Sequence, residues 1–347
     1  VSHFGWIDGS IVGLYLLATM AAGLWVRRYV GGVEDFLVAG REMDVHLGIA
    51  SLAATEFGIV TCMYTAEAGY RFGFAGATPG ILMAIAMFAV GATGFCIKPL
   101  REAGVMTLPE LFEKRFGPGV RRASGVVIVL GGLLNMGVFL RTGGEFLMTV
   151  TGQAGSPAAG AAAQGWASAH RLELWMTALL LMVAVYTILG GMLSVLVTDF
   201  LQFVVMSVGL VAVTVLVLAR IGFGPLADTV ERRFGAAGFN PILNPDMGWA
   251  YVLFNACLNL AVVLTWQTTI QRVMAAKDAP TGQRVYTGTA FFFVCRFLIP
   301  GLWGIAALRA LPPSTGGITT LNAMPSWLGP FLPVGLMGLV VADMLAR

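Results

Sequence analysis

Apolar residues in this chain arrive in blocks of roughly 20, long enough for helices to cross a bilayer, and no other feature limits the fold as strongly. Eight blocks are long enough to span, at residues 6–26, 46–70, 74–97, 120–148, 172–189, 192–219, 249–270 and 285–311. Only 11% of the 347 residues are charged, against about 25% in a soluble domain. The expected class is therefore an all-α polytopic membrane protein, integral to its membrane, with the lipid bilayer as a partner. A ninth block begins near Leu332 and has about 16 residues before Arg347, too few to span. The chain is expected to end inside that helix, as the N-terminal part of a longer protein.

The connections carry less information. In "KPLREAGVMTLPELFEKRFGPGVRR", Thr107 and Glu110 have capping-box spacing with Pro109 in the first turn. A short surface helix should start there and end near Gly117-Pro118. "GQAGSPAAGAAAQGWASAH" reads as a flexible small-residue loop. The net charge of +3 is spread along the chain, without the basic stripe that nucleic acid requires. Placing the N-terminus outside puts 12 basic residues, Arg272 among them, on the cytoplasmic side and 7 outside, as the positive-inside rule prefers. Cys62, Cys96, Cys257 and Cys295 lie in apolar segments without CxxC spacing and are expected to be buried, inert thiols. The first block lacks a basic n-region before it and a small-residue cleavage site after it, so no cleavable signal peptide is expected. No HExxH, GxSxG or Walker-type motif occurs, and no nucleophile–base pairing suggests an enzyme.

Ionisable groups inside membrane segments cost at least roughly 2.5–3.5 kcal/mol each on insertion scales, so they point to function. Glu56 lies about ten residues into the second block, near mid-depth, among Ser51, Thr55, Gly58, Thr61 and Thr65. It reads either as a protonated interface group or as part of an ion or solute site. In the sixth block, "GGMLSVLVTDFLQFVVM", helical spacing puts Gly191, Ser194, Thr198, Asp199 and Gln202 within about 140° of arc. Asp199 should face protein or water, as an interhelical anchor or as a cation or proton ligand. The seventh block is unusually polar, with Asn255 and Asn259 an i,i+4 pair and Thr265, Gln267, Thr268, Thr269 and Gln271 after them. Arg296 can pair with a carboxylate or snorkel to the surface. Asp343 is a further membrane acid without an assigned role. Such a chain suits a transporter better than a channel or a membrane enzyme.

Five stretches then occur in a telling order: "DFLVAGRE", "TLPELFEKRFGP", "GGMLSVLVTDFLQ", "IQRVMAAKD" and "LPVGLMGLVVA". Together they resemble the sodium:solute symporter family, whose members include sodium/sugar and sodium/proline symporters. The resemblance spans nearly the whole chain. It implies a LeuT-type inverted-repeat fold (APC-like), truncated in the second repeat, whose broken first helices place the sites near the membrane midplane. Residues 1–347 then form a single transmembrane domain. Residues 6–26 are an extra N-terminal helix, 46–219 the first five-helix repeat and 249–347 an incomplete second repeat.

The resemblance also implies roles. Sodium is the coupling ion, held by the carbonyls of Ala54 and Phe57, with a carbonyl matching Arg347 and hydroxyls just beyond it. Asp199, beside Thr198, matches an acid that in some members helps form a second sodium site. Glu56 falls where proline-transporting members carry an acid and sugar-transporting members carry Asn. Thr61 and Asn259 match sugar-contacting positions, and Gln267 joins them as a solute residue. The sugar members' aromatic pair is replaced by Ala261 and Val262, which favours a small polar or charged solute such as an amino acid over a stacked sugar. The expected function is sodium-coupled symport of a small polar solute across the cytoplasmic membrane, with the N-terminus outside and no obligate protein partner evident. The alternative is the symporter-like membrane region of a sensor.

Overall fold

The computed structural model describes residues 4–29, 31–152, 170–311 and 319–345. Its helices are α1 (Trp6–Val26), α2 (Val33–Val38), α3 (Val45–Glu56), α4 (Ile59–Phe72), α5 (Thr78–Thr93), α6 (Ile97–Glu102), α7 (Leu108–Phe116), α8 (Pro118–Val150), α9 (Arg171–Ile221), α10 (Phe223–Phe234), α11 (Gly248–Thr265), α12 (Gln267–Ala275), α13 (Ala279–Ala310), α14 (Ala323–Phe331) and α15 (Leu336–Leu345). Among the described residues the one extended pairing is a bridge between Met43 and Ala276. It joins the entry to α3 with the exit from α12 through Met43 N to Ala275 O and Lys277 N to Met43 O. Six helical runs among the described residues are long and apolar enough to cross a membrane: Trp6–Val26, Ile59–Thr93, Pro118–Val150, Gly191–Ile221, Gly248–Thr265 and Ala279–Ala310.

The blocks read from sequence map onto this set with instructive differences. The block at 46–70 is two half-helices of 12 and 14 residues. The block at 249–270 divides at Trp266, whose ψ of 120° is extended. The blocks at 172–189 and 192–219 meet in α9, which breaks at Gly191 with φ 57° and ψ −155°. Only glycine adopts that conformation at low cost. A Cβ there would also stand 2.5 Å from the Phe36 ring and 2.7 Å from its carbonyl oxygen, so α2 packs directly on the break.

The expected surface helix is α7. Thr107 Oγ1 accepts from Glu110 N at 3.3 Å, and the Glu110 carboxylate accepts from Met106 N at 2.8 Å, one residue before the partner a standard capping box would use. Asp278 caps α13 by accepting from Thr281 N. Its hydrogen bonds with the Thr281 side chain and backbone hold its carboxyl below the usual range. The loop expected at 152–170 falls almost wholly outside the described residues. The cysteine expectation needs correction: Cys62 is buried, Cys96 and Cys295 are half-buried, and Cys257 is exposed on the outer face of α11. An apolar helix in lipid gains little by turning a thiol inward, so hydropathy alone does not report its face.

The core is built on glycine-mediated contact between α4 and α13. A Cβ on Gly304 would lie 1.8 Å from the Ala66 carbonyl oxygen, and one on Gly69 would lie 2.1 Å from the Gly301 carbonyl oxygen. In lipid such close backbone approach replaces the hydrophobic driving force. On the other side, Gly80 and Gly91 of α5 admit Phe297 and Thr287 of α13. Gly304→Ala should therefore destabilise by about 1–3 kcal/mol or more, while Gly131→Ala, which meets nothing within 4 Å, should be neutral. Thermal unfolding of the two variants in detergent checks this. Equal melting temperatures would contradict the contact.

Candidate functional site

Two interrupted helices face each other across the middle of the molecule. Between α3 and α4, Phe57 (φ −106°, ψ 78°) and Gly58 (φ −103°, ψ −179°) leave helical geometry. Between α11 and α12 the chain turns at Trp266. An interrupted helix in a membrane frees backbone groups that protein must satisfy. Here side chains do so. Thr61 Oγ1 donates to the Glu56 carbonyl at 3.2 Å, and Tyr286 Oη donates to the Val263 carbonyl at 3.1 Å. The Ala54 carbonyl accepts from Phe57 N at 3.1 Å. Ala54 and Phe57 are both buried, at the carbonyl end of α3.

The first charged cluster answers why Asp199 sits in a membrane helix. Its Oδ2 accepts from Ser51 Oγ (2.5 Å), Thr55 Oγ1 (3.0 Å) and Arg272 Nη2 (2.7 Å). Arg272 also donates from Nε to Ser51 Oγ (2.8 Å), from Nη1 to the Thr268 carbonyl (2.9 Å) and from Nη2 to Thr55 Oγ1. Each hydroxyl thus accepts from the guanidinium and donates to the carboxylate, and the network ties α3, α9 and α12 together. Both charged side chains are under 10% exposed. Arg272, expected among the solvated cytoplasmic cations, is instead an interior counter-ion. It is four residues past Thr268 on α12, so a helical turn carries it back beside the break. A cation arriving at Asp199 would have to compete with this tethered guanidinium.

The second cluster sits at the end of α3. Glu56 Oε1 accepts from Thr268 Oγ1 (3.0 Å) and from Thr269 Oγ1 (3.5 Å), and Oε2 accepts from Arg296 Nη1 at 3.0 Å. Arg296 Nη2 donates to Thr61 Oγ1 at 3.1 Å. The guanidinium lies 5.1 Å from the Phe293 ring centroid and 5.6 Å from that of Phe297, within cation–π range. Of the two alternatives left open by sequence, Arg296 takes the carboxylate. Pro300 supplies no N–H to the Arg296 carbonyl one turn earlier. Glu56 therefore bridges both interruptions: it ends α3 and is held by the first turn of α12. Two buried polar atoms nearby, Arg296 Nε and Gln267 Oε1, have no hydrogen-bond partner.

The remaining expected residues lie around these clusters. The polar arc of α9 is buried as expected at Gly191, Ser194, Thr198, Asp199 and Gln202, while Phe200, Leu201, Val204 and Val208 face outward. The Thr198 hydroxyl donates to its own helix, at the Ser194 and Val195 carbonyls, both 3.0 Å. Asn259 is buried and donates to the Asn255 carbonyl at 2.8 Å. Gln267 donates to Gln271 Oε1 at 2.9 Å. Asp343 is buried in α15. Arg347, matched to a sodium-ligating carbonyl, lies outside the described residues. Sequence reasoning misses Arg272 and gives Thr268 no specific role. The signal that could find them is the polar stripe of α12, where Thr268, Thr269, Gln271 and Arg272 fall within one turn.

Comparisons with known proteins agree with this architecture. A sodium/glucose cotransporter of Vibrio parahaemolyticus is 29% identical, over 98% of this chain and 64% of its own length. The human sodium/myo-inositol cotransporter 2 is 27% identical, over 98% of this chain and 53% of its own. Rabbit sodium/glucose cotransporter 1 is 30% identical, over 78% of this chain and 42% of its own. The chain thus spans less than two thirds of each of these relatives. Among solved structures, a Na+-coupled sialic acid symporter in a substrate-bound outward-open state superposes with a TM-score of 0.78 at 18% identity, covering 99% of this chain and 69% of that one. That likeness shows the fold, an all-α LeuT-type arrangement. The model of the sodium:solute symporter family matches residues 36–347, and the chain belongs to that family of membrane transporters.

Proposed function

We propose that the protein carries out sodium-coupled symport of a small polar solute. The observation that carries this reading is Glu56, a carboxylate at the interruption between α3 and α4 held by Thr268 and Thr269 just past the interruption between α11 and α12. Interrupted helices put carbonyl ends toward cations and amide ends toward anions. The carbonyl end of α3 at Ala54 and Phe57 would take sodium, with Asp199 and Thr198 at a second cation position in exchange with Arg272. Glu56, Thr61, Asn259 and Gln267 would line the solute, with Arg296 added to that set. The named relatives transport sugars and inositol. The Glu56–Arg296 pair, and Ala261 and Val262 in place of an aromatic pair, favour a small polar or charged solute over a stacked sugar. The host would be the cytoplasmic membrane. Withdrawing Arg272 from the solvated cations leaves 11 against 7, a balance that would still favour an outside N-terminus.

Coupling has a direct test. Full-length protein in proteoliposomes should accumulate solute only with an inward sodium gradient, and by linkage solute should tighten sodium binding by the same factor. Sodium-independent accumulation would sink the reading.

Two substitutions separate the clusters. Asp199→Asn leaves Arg272 buried without its counter-charge, a loss of about 3–5 kcal/mol for a broken buried pair. Its yield of folded protein should fall, and pairing it with Arg272→Gln should restore yield but not sodium activation. Full sodium activation in the double variant would remove Asp199 from the ion path. Glu56→Gln keeps an acceptor for Thr268 and removes the charge facing Arg296. Its yield should also fall, since Arg296 loses its counter-charge, and per folded protein solute KM should rise about tenfold, the loss of roughly 1.4 kcal/mol. Lower expression with an unchanged KM would mark Glu56 as an interface group instead.

A further inference from the structure

The first helix contains a carboxylate that the transport reading leaves without a role. Most of α1 faces outward, with Trp6, Leu14, Leu17 and Trp25 exposed, yet Asp8 is fully buried. Its Oδ1 accepts from Gly335 N at 2.8 Å and Gly338 N at 2.7 Å, and its Oδ2 accepts from Gly5 N at 3.0 Å. Among the described residues no ion pair includes Asp8. Its counter-charge is the amide end of α15, whose first-turn N–H groups have no partner within the helix. The approach is close enough to require glycine: a Cβ on Gly338 would stand 2.7 Å from Asp8 Cα and 2.9 Å from its carbonyl oxygen, and Gly335 has φ 91°.

The other end of α1 is tied to α9. Ser194 Oγ donates to the Gly23 carbonyl at 2.5 Å, five residues before Asp199 on the same helix. The strap therefore runs from the first turn of α15, through α1, to the part of α9 that carries the buried Asp199–Arg272 pair. α9 also packs directly on α15, though less closely at Gly209, where a Cβ would meet Leu339 only at 3.9 Å.

We infer that Asp8 is a positioning residue, fixing α15 to α1 and through Ser194 to α9, so that α15 and the Asp199 cluster move as one body. The effect on sodium rests on the symport reading above, whereas the clamp itself does not. A carboxylate suits the task because two acceptor oxygens serve three N–H groups on two elements. Asparagine keeps one oxygen and turns an N–H2 toward the remaining donor. Alanine leaves the Gly335 and Gly338 amides without the side-chain acceptor.

The test compares wild type, Asp8→Asn and Asp8→Ala in full-length protein reconstituted in proteoliposomes. Hydrogen exchange is read in peptides covering 333–345, alongside sodium half-saturation and maximal uptake per folded protein. Alanine should speed exchange in that segment and raise the sodium half-saturation, each about tenfold, with asparagine between. Unchanged exchange in both variants would overturn the clamp. Faster exchange with unchanged sodium half-saturation would reduce Asp8 to a local helix cap and overturn the positioning role. Sodium-independent uptake by wild type would overturn the symport reading, and exchange would still decide the clamp. If the alanine variant does not fold, the asparagine variant is read in the same way: faster exchange with a raised sodium half-saturation supports the positioning role, and unchanged exchange overturns it.

Discussion

A charge inside a bilayer has to meet its counter-charge within the protein, because neither lipid nor bulk water can supply it. The Asp199–Arg272 pair meets that demand, and the arrangement of the surrounding helices depends on it. Three elements distant in sequence, α3, α9 and α12, are held at one place because Ser51, Thr55, Asp199 and Arg272 satisfy one another. Removing either charge leaves the other buried and uncompensated, which costs more than the pair contributes. Such a network stabilises one packing, and under the proposed symport a cation reaching Asp199 would have to take the place of Arg272.

The two interruptions make a second demand. Each breaks a backbone ladder in a medium that tolerates no unpaired amides. The fold meets this with side chains from other elements, Thr61 and Tyr286 for the carbonyls and Thr268 and Thr269 for the Glu56 carboxylate. Close backbone contact of α4 with α13 through Gly69, Gly301 and Gly304 gives these half-helices a rigid wall. The polar groups at the interruptions are therefore positioned by packing that contains almost no polarity of its own.

Much of this is legible in the chain. The polar arc of α9 follows from helical spacing, and Thr107 and Glu110 mark α7. Gly58 and Gly191 stand at two of the interruptions. Spacing marks Arg296 as a pairing candidate without naming its partner. Arg272 reads as a loop cation because it falls two residues beyond an apolar block, and hydropathy does not register a helix that restarts at Trp266. Cys257 is misplaced because an apolar helix in lipid carries little sequence record of which side faces inward. Asp8 escapes notice near the edge of an otherwise ordinary apolar helix.

The sequence by itself determined the membrane class, the apolar blocks, the family and the polar face of α9, because these rest on local periodicity and ordered motifs. Which charge meets which was decided only by tertiary structure. Glu56 and Arg296 are 240 positions apart, Asp199 and Arg272 are 73 apart, and Asp8 reaches Gly338 across 330. Electrostatic pairing depends on distance in space, and that distance is fixed by how glycine contacts and broken helices fold the chain back on itself.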